Sequence, residues 1–324
     1  MTTRTRWGLG AAALVLAACA ATPGATAAEP GGGLVARLDF FGPPGPAFAY
    51  AGEPITMRIS IANEGTSPWS NDQGVDLAGG FVIERQGGDA VGVKTQTLDK
   101  KQQPTVIGPQ AFFGRTLDVV PLARTPMTPG TYSIRWQGMG LVSNTFTVKV
   151  IPKFDPAAKY VATLETDYGS MEFDLRSDLA PKHVQNFYNL SYQGYYEGTM
   201  LHQIIKGVEL RGGDLTLTGK DFPPYLLDLE IAPTVKHQRG TLSMIRLGGA
   251  DLDSSSQFVI TLSPIPQYDG GLSIFGQLSK GDEVLAALES IPTTGQKEPP
   301  YYRPIRPVAV RTITVRKSGE APGI

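Results

Sequence analysis

The 324-residue chain predicts a protein dominated by β-structure, with a β-sandwich followed by an eight-stranded barrel capped by two helices. Three observations carry this. The length allows about two domains of roughly 100–200 residues each. The 38 glycines and 26 prolines supply the turns that many short strands need. Apolar residues alternate with period two in run after run, while beyond the N-terminus helical spacing occurs only twice.

Arg4 and Arg6 precede an apolar run, Trp7 to Ala18, too short for a spanning helix, which needs about 20 residues. Leu16-Ala17-Ala18-Cys19 ends the run and resembles the bacterial lipobox, in which the cysteine is lipidated. Residues 1–19 then read as a signal peptide and 20–33 as a flexible Gly/Pro/Ala tether. This predicts an exported protein of the cell envelope, facing the periplasm and held to a membrane through lipidated Cys19. Ala25-Thr26-Ala27 also fits ordinary cleavage, and a soluble mature protein beginning near Ala28 would overturn the anchored reading. The net charge of −1 gives no reason to expect nucleic acid as a partner. Three histidines at 183, 202 and 237 and one cysteine form no metal-ligating cluster and no intrachain disulfide. No phosphate-cradling glycine loop is present, so no cofactor is expected.

Residues 34–151 read as short strands. Ile55–Ile61, Thr131–Trp136 and Asn144–Val150 alternate apolar and polar residues, and Pro129-Gly130 sets a turn before the second. The pattern looks immunoglobulin-like in architecture, without the Cys…Trp…Cys hallmark. Trp69 and Trp136 are expected to pack in the core or turns, and no chemistry is evident here. Residues 152–157, with Pro152 and Pro156, read as a linker.

In residues 158–317, Tyr160–Thr166 and Ser170–Arg176 form a hairpin around Asp167-Tyr168-Gly169. Pro181 starts a helix that carries Val184, Phe187 and Leu190 on one face and stops at Gly194. Strands are expected at Thr199–Ile205, Val208–Leu210, Leu242–Ile245, Phe258–Thr261, Ser273–Leu278 and Val308–Val315. A second helix covers Glu283–Glu289, with Asp282 as N-cap. Asp251 to Ser256 reads as a solvated polar turn, and residues 318–324 as a disordered tail.

Several short motifs stand in order along this half. They are Ala180-Pro181-Lys182, Asn186-Phe187, Gly194-Tyr195-Tyr196-Glu197-Gly198-Thr199, Leu201-His202-Gln203, Arg211-Gly212-Gly213-Asp214, Gly240-Thr241-Leu242-Ser243-Met244, Ser256-Gln257-Phe258, Asp269-Gly270 and Phe275-Gly276. In sequence and spacing they resemble a cyclophilin-type peptidyl-prolyl isomerase domain. The resemblance implies isomerisation of X–Pro bonds in exported proteins, with proline-containing peptide segments as partners.

That reaction must break amide resonance, a barrier of about 20 kcal/mol. A donor aimed at the proline nitrogen and an apolar pocket around its ring would lower it. The resemblance implies an arginine directly after His202, where this chain has Gln203, and Arg211 stands where the family has glutamine. The pair looks exchanged, which makes Gln203 and Arg211 the candidate catalytic residues, with Gln203 orienting the guanidinium. The alternative is that Arg211 pairs with Glu209 on the same strand face. His202, Val208, Glu209, Ile245, Gln257, Val259, Tyr268 and Leu272 are the expected substrate-binding positions, of which Gln257 alone keeps the family's residue among the close pocket. His183 and His237 are expected to be solvated or structural. The substitutions imply a degenerate site with weak or altered turnover. A catalytically inactive barrel that binds peptides or serves structurally is the alternative, and pocket shape discriminates between them.

Overall fold

The computed structural model describes residues 33–42, 47–88, 90–91, 105–216, 218–247, 251–297, 299 and 301–320. The expected signal peptide, Cys19, residues 20–32 of the tether and residues 321–324 of the tail lie outside the described residues.

The N-terminal half contains β1 (Leu34–Phe41), β2 (Phe48–Tyr50), β3 (Thr56–Asn63), β4 (Trp69–Asn71), β5 (Phe81–Arg85), β6 (Ala90–Val91), β7 (Thr105–Ile107), β8 (Phe112–Asp118), β9 (Gly130–Gly138), β10 (Leu141–Val142) and β11 (Phe146–Ile151). They form a sheet in the order β1-β3-β8, a second in the order β2-β11-β9-β5-β6 with β10 on β9, and a small β4-β7 pair. The period-two pattern of β3 turns Met57, Ile59 and Ile61 inward, where they meet Ile83, Tyr132, Ile134 and Val148 of the second sheet in one core. Trp136 is buried there and donates its Nε1–H to Leu77 O at 2.8 Å, while Trp69 packs half-buried at the margin.

The C-terminal half contains β12 (Tyr160–Thr166), β13 (Gly169–Leu175), α1 (Pro181–Gln193), β14 (Gln203–Ile205), β15 (Glu209–Gly212), β16 (Leu226–Asp228), β17 (Thr241–Arg246), β18 (Leu252–Thr261), β19 (Ile274–Lys280), α2 (Asp282–Glu289) and β20 (Val310–Lys317). One sheet runs β14-β15-β18-β17-β19-β13-β12-β20, with β16 added to β18. Met200 bridges both Asp214 and Ala309, joining the two ends of the sheet. Leu210, Met244, Phe258, Ile260 and Phe275 point inward against Val184, Phe187, Leu285 and Leu288 of the helices. No helix among the described residues is long and apolar enough to cross a membrane.

Four expectations need correction. The strand foreseen from Thr199 shortens to Gln203–Ile205, because residues 198–201 instead exchange backbone hydrogen bonds with Val308 and Val310. Asp282 is the first helical residue, and the cap is Gly281 at φ +90°, where an added Cβ would lie 2.5 Å from Ser170 O. The Asp251–Ser256 turn is mostly strand: Asp253 and Ser254 to Ser256 are buried in β18. Ser318 is ordered against the barrel, donating its N–H to Lys159 O at 2.8 Å.

The two halves pack together. Phe154 of the linker stacks on Tyr160 at 5.0 Å and meets the edge of Tyr188 at 5.4 Å. Phe48 of β2 is buried in the core of the C-terminal half. Tyr50 donates its hydroxyl to Asn189 Oδ1 at 2.9 Å and accepts from Gln185 Nε2 at 3.1 Å, both on α1.

Candidate functional site

Strand register assembles the site. Gln203 lies opposite Arg211, Arg211 opposite Val259, and Val259 opposite Ser243, so one row crosses β14, β15, β18 and β17. The neighbouring row, Ile204, Leu210, Ile260 and Leu242, points into the core. Alternation therefore puts Gln203, Arg211 and Val259 on the outer face of the barrel.

Arg211 donates Nε–H to Glu209 Oε1 at 2.7 Å. Glu209 is only 1% exposed, and its other oxygen accepts the Tyr268 hydroxyl at 2.7 Å. Burial foremost, and Glu209 next, raise the Tyr268 pKa and keep that hydroxyl a donor. Gln203 does not orient the guanidinium: its Nε2 donates to Tyr301 O at 3.1 Å. The contact expected between Gln203 and the Arg211 guanidinium is thus replaced by two separate commitments, Arg211 to Glu209 and Gln203 to a loop. Gln257 is buried and ties β18 to the 214–221 loop by donating to Asp221 O at 2.9 Å.

A depression of about 290 Å³ remains open beside this row. His202, Gln203, Arg211, Ile245 and Gln257 line it, as expected, and Arg246 and Tyr301 join them. Val208, Glu209, Val259, Tyr268 and Leu272 do not line it. Glu209 and Val259 are buried, and the turn bearing Tyr268 lies over Glu209, so that end of the face is closed by side chains.

A chain of polar groups fixes the turn. Asp269 Oδ1 meets His237 Nδ1 at 3.1 Å, and His237 Nε2 meets Ser243 Oγ at 3.1 Å. The order Asp–His–Ser has the connectivity of a nucleophilic triad, but the Ser243 hydroxyl is fully buried and no substrate reaches it. It acts as a clamp. Burial pushes the His237 pKa down, opposed by Asp269. His183 is also buried, between Glu230 Oε2 at 2.6 Å and Asp253 Oδ2 at 3.0 Å, so neither ring is solvated. His202 is 5% exposed, its Nδ1 has no hydrogen-bond partner among the described residues, and desolvation lowers its pKa to about 4.

Residues 161–315 match the family described as cyclophilin type peptidyl-prolyl cis-trans isomerase/CLD. A peptidyl-prolyl cis-trans isomerase-like 1 of Neurospora crassa is 38% identical over 140 residues, 42% of this chain and 85% of that protein. A peptidyl-prolyl cis-trans isomerase-like 2 of Rhizopus delemar is 40% identical over 146 residues, 44% of this chain and 27% of that protein, so the chain spans about a quarter of its length. A solved cyclophilin type isomerase of Cryptosporidium parvum, crystallised in the presence of the dipeptide Ala-Pro, is 37% identical, with a TM-score of 0.45 over 48% of this chain and 98% of that one. With 85% of a 38%-identical relative covered and the strand order and motifs in place, the chain belongs to the cyclophilin-type peptidyl-prolyl cis-trans isomerase family.

Proposed function

We propose that the barrel binds proline-containing segments of exported proteins across the face bearing Gln203 and Arg211, and isomerises their X–Pro bonds slowly. One observation carries this reading: a guanidinium borders the open depression from the strand directly opposite Gln203, with 34% of the Arg211 side chain exposed. A guanidinium has five N–H donors, so the one given to Glu209 does not exhaust it. Its charge is partly offset by Glu209, and loss of one transition-state donor elsewhere costs about 10²–10³ in rate. Turnover is accordingly weak.

The test is a proline-peptide isomerisation assay on the wild type and Arg211→Ala. The reading expects measurable acceleration by the wild type and its loss in the variant. An active wild type untouched by that change sinks the role given to Arg211. The Glu209–Tyr268 closure favours a second reading, peptide binding without turnover, which the same assay separates: peptide bound, no acceleration. The N-terminal half is proposed to be an immunoglobulin-like spacer, with Cys19 anchoring the protein in the envelope.

A further inference from the structure

The open part of the face differs in chemistry from the closed part. Among the described residues, its lining contains two arginines, Arg211 and Arg246, and no carboxylate. Glu209 and Asp251, which pair with these arginines, lie outside the lining. Glu209 is buried and fixed by Tyr268, whereas Asp251, which pairs with Arg246, is 91% exposed along its side chain.

Resting on the peptide-binding reading above, we propose that this depression selects an acidic side chain close to the proline of the bound peptide. A carboxylate entering it meets guanidinium groups whose planar forks match its two oxygens. At Arg246 it competes with Asp251, an exposed carboxylate whose pairing is weak because water competes for both charges. Asp251 returns to solvent at little cost. At Arg211 it adds to an existing pair, since Glu209 is immobile. A lysine in the same place brings a further positive charge against two, with no carboxylate among the described lining residues to receive it. Gln203 and Gln257 have each committed an amide N–H to a backbone carbonyl, which leaves the arginines as the charged donors of the lining.

The experiment compares three fluorescently labelled, end-capped peptides with the full chain by fluorescence anisotropy. They are identical except for alanine, glutamate or lysine at the two positions before proline. The glutamate peptide is expected to bind at least tenfold more tightly than the lysine peptide at low salt. The gap should shrink strongly at about 1 M salt, where the screening length is about 3 Å. Arg246→Gln should reduce the gap at least threefold, with the unfolding midpoint as the check on folding. Equal binding of all three peptides, a preference for lysine, or a full gap in Arg246→Gln overturns the specificity alone. If none of the three binds the wild type, the peptide-binding reading falls, and the specificity with it.

Discussion

Glu209 holds two side chains of the site at once, since it accepts from Arg211 at 2.7 Å and from Tyr268 at 2.7 Å. Replacing it by glutamine keeps an acceptor for the tyrosine and removes the charge that offsets the guanidinium. Glu209→Gln is therefore expected to raise the catalysed isomerisation rate about three- to tenfold, the equivalent of ~1 kcal/mol for a partly exposed pair. A rate unchanged or lowered in an exchange assay would show that Glu209 does not restrain Arg211. His202 gives a second prediction. The fold holds its imidazole neutral, with a pKa lowered from 6.5 to about 4 by burial. Its contribution is present above the unfolded value and is lost as pH falls from 6.5 towards 4, up to about 3 kcal/mol. Urea midpoints at about pH 7.5 and about pH 4.5 should therefore differ less in His202→Gln than in the wild type. An identical pH slope in the two proteins would exclude His202 as a source of acid lability.

At the scale of elements, the Arg211–Asp214 segment depends on backbone that side chains resist. Gly213 sits at φ +84°, and an added Cβ would lie 2.1 Å from Ser256 O. Gly213→Ala should destabilise by more than about 1 kcal/mol and displace the end of β15; a thermal midpoint equal to wild type would refute the close approach. The same scale shows what could be read from the sequence. The pairing of Gln203 with Arg211 comes from the family resemblance and not from spacing: the strand read from the sequence stops at Leu210, whereas β15 runs on to Gly212 and buries three of its four residues. Helix α1 was legible because Pro181 and Gly194 mark its ends. The bond from Tyr268 to Glu209 spans 59 residues and that from Gln203 to Tyr301 spans 98, distances over which no local period operates. Strand β16 escaped notice because its three residues are largely exposed and present no buried stripe. The polar run Asp253–Ser256 misled for the opposite reason: its burial depends on partners such as His183 and Gly213, far away in sequence.

Over the whole molecule, the two halves share buried surface rather than a free hinge. Phe48 contributes to the core of the C-terminal half, and Tyr50 bonds to two residues of α1. Calorimetry should accordingly show one cooperative transition for the wild type. Phe48→Ala, at a cost of about 3–5 kcal/mol for a buried ring, should resolve it into two. Two transitions already present in the wild type would show that the halves fold independently.

The seating of Phe48 and Phe154 means that family likeness and structural autonomy have different borders here. The family match begins at Val161, yet a fragment cut there would lose Tyr160 and bare the Tyr188 ring that Phe154 covers, along with the core that Phe48 joins. A recombination event that moved the barrel into another gene would have to bring β2 and the connector along, or furnish new apolar cover for Tyr188 and its neighbours.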